Sequence, residues 1–243
     1  MPVWPRNEPL RAFLLTITDE PPALTSVLKF AKMKNLKIAI LGGGNLGTSL
    51  AKGLIASKQF NHHDIVITDK RESRIHDLKN LGFQVTADNT EAVGRSRIIV
   101  MSVKPQQFSS LAQEIKKALT ADHILISTVT GVTHKEIEAS LGKFPLFRIM
   151  PNTALEICES MTCISNHNTT VEQEKLVLSL FEKMGKTLVI PEELMGAATV
   201  VGACGIAFAL RFMRAMSQGG IEIGFNSEMS QLIAAQTVKG AAR

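Results

Sequence analysis

The sequence lacks the features that mark several classes of protein. Its three cysteines, Cys158, Cys163 and Cys204, are an odd number and contain no CxxC pair. This argues against a disulfide framework and a zinc site, and it fits a reducing cytoplasm. No long basic run or recognition motif accompanies the formal net charge of +5, so we expect no nucleic-acid partner. Residues 1–33 contain no apolar stretch followed by a cleavage site, and we expect a loose N-terminal extension there.

Charge is also missing between residues 194 and 210. This stretch is shorter than the roughly 20 residues that a membrane span needs, and Arg211 and Arg214 follow on the same predicted helix. Its glycines and alanines favour close helix contact. We therefore expect a surface buried between helices or between subunits, and no membrane partner.

Short apolar runs alternate with helical stretches from residue 37 onward, which is typical of a parallel sheet with helical crossovers. The predicted fold class is therefore α/β, with a Rossmann-type doubly wound sheet. Strands are predicted at residues 37–41, 64–68, 83–86, 98–103, 123–128, 146–150, 161–165 and 187–190. The longer predicted helices between them cover residues 45–57, 71–81, 106–119 and 171–184.

After Pro191 the pattern is helical to the end of the chain. One long apolar helix is predicted to about residue 219, then a turn at 224–226 and a helix over 227–242, with Ser227 as its N-cap. These patterns predict a Rossmann-type domain over residues 34–191. They also predict an all-helical domain over residues 192–243, whose long apolar helix favours dimerisation.

The strongest local motif is the GxGxxG sequence at residues 42–47, which follows the first strand and opens the first helix. Gly42 and Gly44 permit close approach of a pyrophosphate to backbone N–H groups, and the helix N-terminus favours its negative charge. Gly47 lets the helix pack closely on the strand. The motif predicts a bound dinucleotide, NADP or NAD.

The second strand ends in Asp69, Lys70 and Arg71. An acidic residue at this position accepts hydrogen bonds from the ribose hydroxyls of NAD, whereas a basic residue pairs with the 2′-phosphate of NADP. Both kinds are present, so the choice of cofactor stays open.

Polar turns end three more strands, at residues 102–105, 128–131 and 150–153. In a doubly wound sheet the ligand binds at this edge, so the turns together predict one site. No metal site is predicted, because the adjacent His62 and His63 are expected in a solvated loop. Glu222 is interpreted as a helix-end contact.

The order GGGNLG, SVKP, TVTGV, RIMPNT, GGIEIGF and AAQTVKGAA resembles the pyrroline-5-carboxylate reductase family from residue 37 to the last residue. The resemblance implies an intertwined dimer or higher homo-oligomer, and reduction of a small cyclic imine to L-proline by NAD(P)H. By position, Gly42, Gly44, Asn45 and Leu46 would line the pyrophosphate. Val103, Lys104 and Pro105 would flank the adenine and ribose, while Asn152, with Thr153, would lie near the nicotinamide and substrate.

Two departures from the family follow. Residues 202–208 read GACGIAF where the family has SGSGPAY, which we interpret as a change in helix packing. The sequence ends before the family's TSPGGTT-like substrate loop, so we expect cofactor binding with weak turnover. No side chain is assigned as proton donor.

A 3-hydroxyacid dehydrogenase remains an alternative, although Arg211 and Arg214 stand where that group would need a catalytic lysine. A nonenzymatic cofactor-binding protein is the other.

Overall fold

The computed structural model describes residues 36–243, so the predicted extension over residues 1–33 lies outside the described residues. Eight strands form one sheet in the order β3-β2-β1-β4-β5-β6-β7-β8. The strands are β1 (Ile38–Leu41), β2 (Ile65–Thr68), β3 (Gln84–Thr86), β4 (Ile98–Met101), β5 (Ile124–Ser127), β6 (Leu146–Met150), β7 (Ser160–His167) and β8 (Gly185–Val189).

The first six strands run parallel, and β7 runs antiparallel to β6. The connection from β6 to β7 holds only a short 3₁₀ turn, Thr153–Ile157. Since a parallel connection needs a longer crossover, the chain reverses direction here. A helix precedes β8, which again pairs in parallel with β7. The predicted fold class, with its mixed final strands, is confirmed.

Helices separate most of the strands. They are α1 (Asn45–Ala56), α2 (Glu72–Asn80), α3 (Asn89–Gly94), α4 (Phe108–Ile115), α5 (His134–Leu141) and α6 (Val171–Glu182). The prediction missed α5, although its start carries a capping box in which Thr133 and Glu136 exchange hydrogen bonds with each other's backbone N–H groups. That signal is present in the sequence.

The core lies on both faces of the sheet. Every residue of β1, β2, β4, β5 and β6 is buried, as expected for parallel strands covered by helices on both sides. On one face Leu111 and Ile115 of α4 and Ile137 of α5 pack with Ile99 and Leu125 of the sheet. These buried strands hold the polar turns that follow them at one edge of the sheet.

The chain after β8 forms a helical segment, which we define as residues 192–243. It consists of a 3₁₀ turn (Glu192–Leu194), α7 (Met195–Ala198), a π-helical stretch (Thr199–Ala203), α8 (Gly205–Glu222) and α9 (Ser227–Ala241). The long helix that the sequence predicts to about residue 219 is present as one helical run, Glu192–Glu222, in which the π-helical stretch locally replaces the α-helix. The predicted cap at Ser227 is wrong, because the Asn226 side chain accepts the hydrogen bond from the Met229 N–H.

Apolar packing anchors the helical segment to the sheet, and a close contact joins two of its own helices. Met195 and Ala198 pack against Met150 and Cys163 of the sheet. Farther along, α8 and α9 meet closely: the Ser230 hydroxyl donates to the Ser217 carbonyl at 2.6 Å. A Cβ on Gly220 would lie 2.1 Å from that hydroxyl oxygen, so a side chain there would displace the Ser230 hydroxyl from this contact.

Most apolar side chains of α8 face outward in the single chain. Phe208 and Phe212 are each 60% exposed, so the described helices of the same chain do not cover them, and burial between subunits stays the prediction. Among the described residues, the helical run Glu192–Glu222 is long and apolar enough to cross a membrane by length and composition alone. Contiguous exposed apolar surface of the kind found on α8 marks an interaction site.

Candidate functional site

The carboxyl ends of β1, β2 and β4 border one cavity of about 740 Å³. We call this space the sheet-edge cavity. Most of the residues that the sequence indicates for cofactor binding line it: Gly42, Gly44, Asn45, Asp69, Lys70, Arg71, Val103 and Lys104. The other lining residues are Thr68, Arg74, Asn89, Ser102, Gln106, Gln107, Ser110, Leu111 and Glu114.

The glycine motif brings backbone close to backbone at the base of this cavity. Gly42 has a φ of +117°, and a Cβ there would lie 2.3 Å from the Ser102 carbonyl oxygen. A Cβ on Gly47 would lie 2.1 Å from the Gly42 carbonyl oxygen. At Gly44, by contrast, no atom lies within 4 Å of the Cβ position. Gly42 and Gly47 therefore serve the fold, while the space beside Gly44 is open to a ligand.

The N-terminus of α1 opens onto the cavity without a capping side chain. Its N-cap is Gly44, and no acidic residue lies in the first turn. Some other helices are capped by side chains, as α5 is by Thr133 and α6 by Thr170, whereas α2 and α4 are not. Uncapped first-turn N–H groups and the helix dipole together attract an anion. The arrangement suits a phosphate group.

Asp69 and Arg71 form a pair at the end of β2. The Asp69 carboxylate accepts hydrogen bonds from the Arg71 backbone N–H, Nε and Nη2 at 2.9, 3.0 and 2.8 Å. Hydrogen bonding by the Arg71 side chain, opposed by burial, holds the pKa of the Asp69 carboxyl below its usual value. The carboxylate is 8% exposed and the Arg71 side chain 65% exposed. The pair thus presents its cation to solvent.

Two further cations beside the cavity are tied to the protein. Lys70 pairs with Glu114 of α4 at 3.1 Å. Arg74, which the sequence reasoning missed, donates from Nε to the Gly43 carbonyl at 2.6 Å and from Nη2 to the Thr48 hydroxyl at 2.8 Å. Its position one helical turn after Arg71 was the available signal. With Lys104, four cations and two carboxylates line the cavity, which favours an anionic ligand.

Comparison with known proteins gives matches over both halves of the chain. Residues 37–131 match the family model for NADP oxidoreductase, coenzyme F420-dependent, and residues 192–243 match that for pyrroline-5-carboxylate reductase dimerisation. Pyrroline-5-carboxylate reductase 2 of Dictyostelium discoideum is 43% identical over 225 residues, which cover 86% of this chain and 75% of that protein. The chain belongs to the pyrroline-5-carboxylate reductase family.

Two further relatives agree with this placement. Pyrroline-5-carboxylate reductase 1 of D. discoideum is also 43% identical, over 87% of this chain, but the match spans only 41% of that protein's length. The crystal structure of a Plasmodium falciparum pyrroline carboxylate reductase with NADP bound has a TM-score of 0.81 and 26% identity. It covers 86% of this chain and 78% of that one.

Three residues that the glycine motif or the resemblance to the reductase family selects for the cofactor site lie outside the sheet-edge cavity. Gly47 is buried beneath it, Leu46 is half-buried in the first turn of α1, and Pro105 is exposed at the start of a 3₁₀ turn. None of the three lines the cavity. Their predicted contact with a cofactor stays a prediction, and Gly47 has a packing role in any case.

Asn152 and Thr153 follow β6, at the same edge of the sheet but beyond the cavity lining. The Asn152 side chain accepts from the Ala154 N–H at 3.0 Å and donates to the Gly202 carbonyl at 3.1 Å. Thr153 is exposed. Gly202 lies in the π-helical stretch, so Asn152 links the reductase family's RIMPNT motif to the helical segment. Their predicted place beside the substrate is not tested by this arrangement.

A buried charge cluster, which the sequence reasoning missed, joins the sheet to the helical segment. Arg148 of β6, 6% exposed, donates from Nη1 to Glu192 at 2.6 Å. The backbone N–H of His134 donates to the same Glu192 oxygen at 2.6 Å. Burial holds the pKa of His134 below its usual value, and its ring stacks on His167 at 5.3 Å. An arginine inside an apolar strand was the available signal.

Proposed function

We propose that this chain reduces 1-pyrroline-5-carboxylate to L-proline with NADH or NADPH. The observation that carries the proposal is the sheet-edge cavity, where an uncapped helix N-terminus and the open space at Gly44 meet a surplus of cations. Two D. discoideum relatives with 43% identity are named pyrroline-5-carboxylate reductases, and the P. falciparum relative was crystallised with NADP. Both facts support the proposal.

The cavity fits a dinucleotide on the chemistry of its lining. We assign the pyrophosphate to the N-terminus of α1, with Gly42, Gly44 and Asn45 around it. Val103 and Lys104, which follow β4, would flank the adenine and its ribose. The fit follows from the Gly44 position, because backbone N–H groups can meet a phosphate only where no Cβ fills the approach.

The reaction requires little acid–base chemistry from side chains. A bound reduced nicotinamide would supply the hydride for the imine carbon, and a proton would be needed at the nitrogen to give the secondary amine. The chain's own task is to hold the imine in line and to bind its carboxylate. We propose that Asn152 and Thr153 lie near this site. Asn152 would act there as a positioning residue, since its amide is bonded to Ala154 and Gly202.

We propose further that residues 34–191 form the cofactor domain and that residues 192–243 form a homodimer or a higher homo-oligomer. The exposed apolar residues of α8, including Phe208 and Phe212, support this. The match of residues 192–243 to the reductase dimerisation model supports it too. A cytoplasmic location, with no nucleic-acid or membrane partner, completes the proposal. The three cysteines are free, as this requires.

The test is an assay with purified protein, in which NADPH or NADH oxidation is followed with 1-pyrroline-5-carboxylate, with 3-hydroxyacids plus the oxidised cofactors, and with no substrate. We expect oxidation that depends on the imine, with L-proline formed in equal amount. Dehydrogenation of a 3-hydroxyacid, or cofactor binding without imine reduction, would contradict the proposed function. Mass spectrometry of the product distinguishes proline formation from adventitious cofactor decay.

A further inference from the structure

The end of β2 carries both an acid and a base that could recognise the adenine ribose, and their pairing decides between them. The Asp69 carboxylate already accepts three hydrogen bonds from Arg71, out of roughly four lone-pair sites. It also carries its negative charge against a guanidinium. A ribose hydroxyl would have to compete with Arg71 for this carboxylate, so Asp69 is poorly placed to select NAD.

Arg71 retains capacity for an anion. The pair with Asp69 uses two N–H groups of the guanidinium side chain, and a guanidinium has more to offer. The side chain is 65% exposed and lines the cavity. Its planar fork suits a phosphate better than an ammonium group does. The carboxylate fixes where the fork lies, which reduces the entropy lost when a phosphate binds.

The other three cations around the cavity are placed differently from Arg71. Arg74 donates from Nε to the Gly43 carbonyl and from Nη2 to the Thr48 hydroxyl, so its guanidinium is held against the glycine motif and α1. Lys70 faces Glu114 at 3.1 Å. Lys104 follows β4, whereas the 2′-phosphate, which distinguishes NADP from NAD, is bound at the end of the second strand in this fold.

We infer that Arg71, held by Asp69, selects cofactors with a 2′-phosphate, so that the chain prefers NADPH to NADH, and that Asp69 is a positioning residue. The inference rests on the proposed binding of a nicotinamide dinucleotide in the sheet-edge cavity, and goes beyond it by naming the cofactor and the residues that choose it. Asp69 then positions Arg71 and does not accept hydrogen bonds from the ribose hydroxyls.

Binding measurements test this without any imine reduction. Fluorescence titration gives dissociation constants for NADPH and NADH, and calorimetry gives those for 2′,5′-ADP and 5′-AMP, which lack the nicotinamide. We expect the unaltered chain to bind NADPH at least about tenfold more tightly than NADH, the effect of about one charge-assisted contact. Arg71→Gln should remove most of that preference by weakening NADPH, while NADH changes less than about twofold.

Two further variants separate positioning from ribose contact. Asp69→Asn should weaken NADPH and 2′,5′-ADP and leave NADH unchanged, since the guanidinium loses its anchor. Arg95→Gln is the matched control, because Arg95 is 61% exposed and paired with Glu91 but lies outside the cavity. It should change neither constant.

The outcomes distinguish this inference from the proposed function. Equal affinities of the unaltered chain for NADPH and NADH, or a loss of NADH binding in Asp69→Asn, would overturn the selectivity while the cofactor site stands. Failure of both dinucleotides to bind would overturn the cofactor site and the selectivity together. An unchanged preference in folded Arg71→Gln would show that another cation reads the phosphate.

Discussion

Replacing Gly44 with valine places a branched side chain in the cavity and almost nowhere else. The Gly44 Cβ position has no atom within 4 Å, and its φ of −67° suits any residue. The chain should therefore fold. The main cost is a poorer N-cap for α1, because valine is disfavoured there relative to glycine, by about 1 kcal/mol.

Cofactor affinity should fall much more than stability. The valine methyl groups would occupy the approach of the pyrophosphate to the first-turn N–H groups of α1. A charge-assisted hydrogen bond contributes about 1.5–3 kcal/mol, so losing even one weakens NADPH at least about tenfold, roughly 1.4 kcal/mol. Fluorescence titration gives the dissociation constant, and urea unfolding gives the stability of the same preparation.

Two other glycines supply the controls. Gly94 is exposed, ends α3, and also has an open Cβ position, so Gly94→Val should bind NADPH as the unaltered chain does. Gly47→Val should lose about 2 kcal/mol of stability or more, since its Cβ would lie 2.1 Å from the Gly42 carbonyl. If folded Gly44→Val binds NADPH with an unchanged constant, the pyrophosphate does not lie at this helix and the site assignment is refuted.

Three further results are expected. Glu192→Gln leaves the Arg148 guanidinium buried without a carboxylate, so unfolding in urea should show a loss of about 3 kcal/mol; an unchanged midpoint would refute a role for this pair in stability. Burial lowers the pKa of His134 in the folded state. The stability that the neutral His134 ring contributes is therefore full above the ordinary pKa of 6.5 and is lost as the pH falls below that value. His134→Gln should therefore flatten the stability profile on the acid side of that value, and a profile as steep as before would contradict this. Phe208→Glu with Phe212→Glu should give monomers in sedimentation velocity at micromolar concentration, because both rings are exposed on α8; an intact dimer would place the interface elsewhere.

The sheet could be predicted from sequence because its signals are local. Most buried strands are largely apolar runs bounded by polar turns, as residues 38–41 and 98–101 illustrate. Glycine positions were also predictable, since Gly42 adopts a positive φ and Gly47 meets a carbonyl. These requirements act within a few residues of chain, and the residue type records them directly.

Apart from α5 and the cap of α9, whose signals are local, what sequence reasoning missed depends on partners far away in the chain. Glu192 meets Arg148 and His134 only after the sheet has formed. The bond from Asn152 to Gly202 spans fifty residues. The π-helical stretch at Thr199–Ala203 has no residue signature of its own. The pairing of Asp69 with Arg71 is local. The sequence alone did not show that the Asp69 carboxylate is buried while the Arg71 guanidinium is exposed.

The order of strands separates two roles along one sheet. The cavity is bordered by the ends of β2, β1 and β4, whereas the contacts to the helical segment come from β6 and β7, through Arg148, Asn152 and the packing of Met150 and Cys163. Strand β5 lies between the two groups. Strands β6 and β7 extend the sheet past the cofactor half and form the surface on which the helical segment packs. A side chain added at Gly44 therefore leaves the packing of the helical segment unchanged. The glutamates introduced at Phe208 and Phe212 of α8 lie away from the cavity. Binding and assembly can for this reason be perturbed separately.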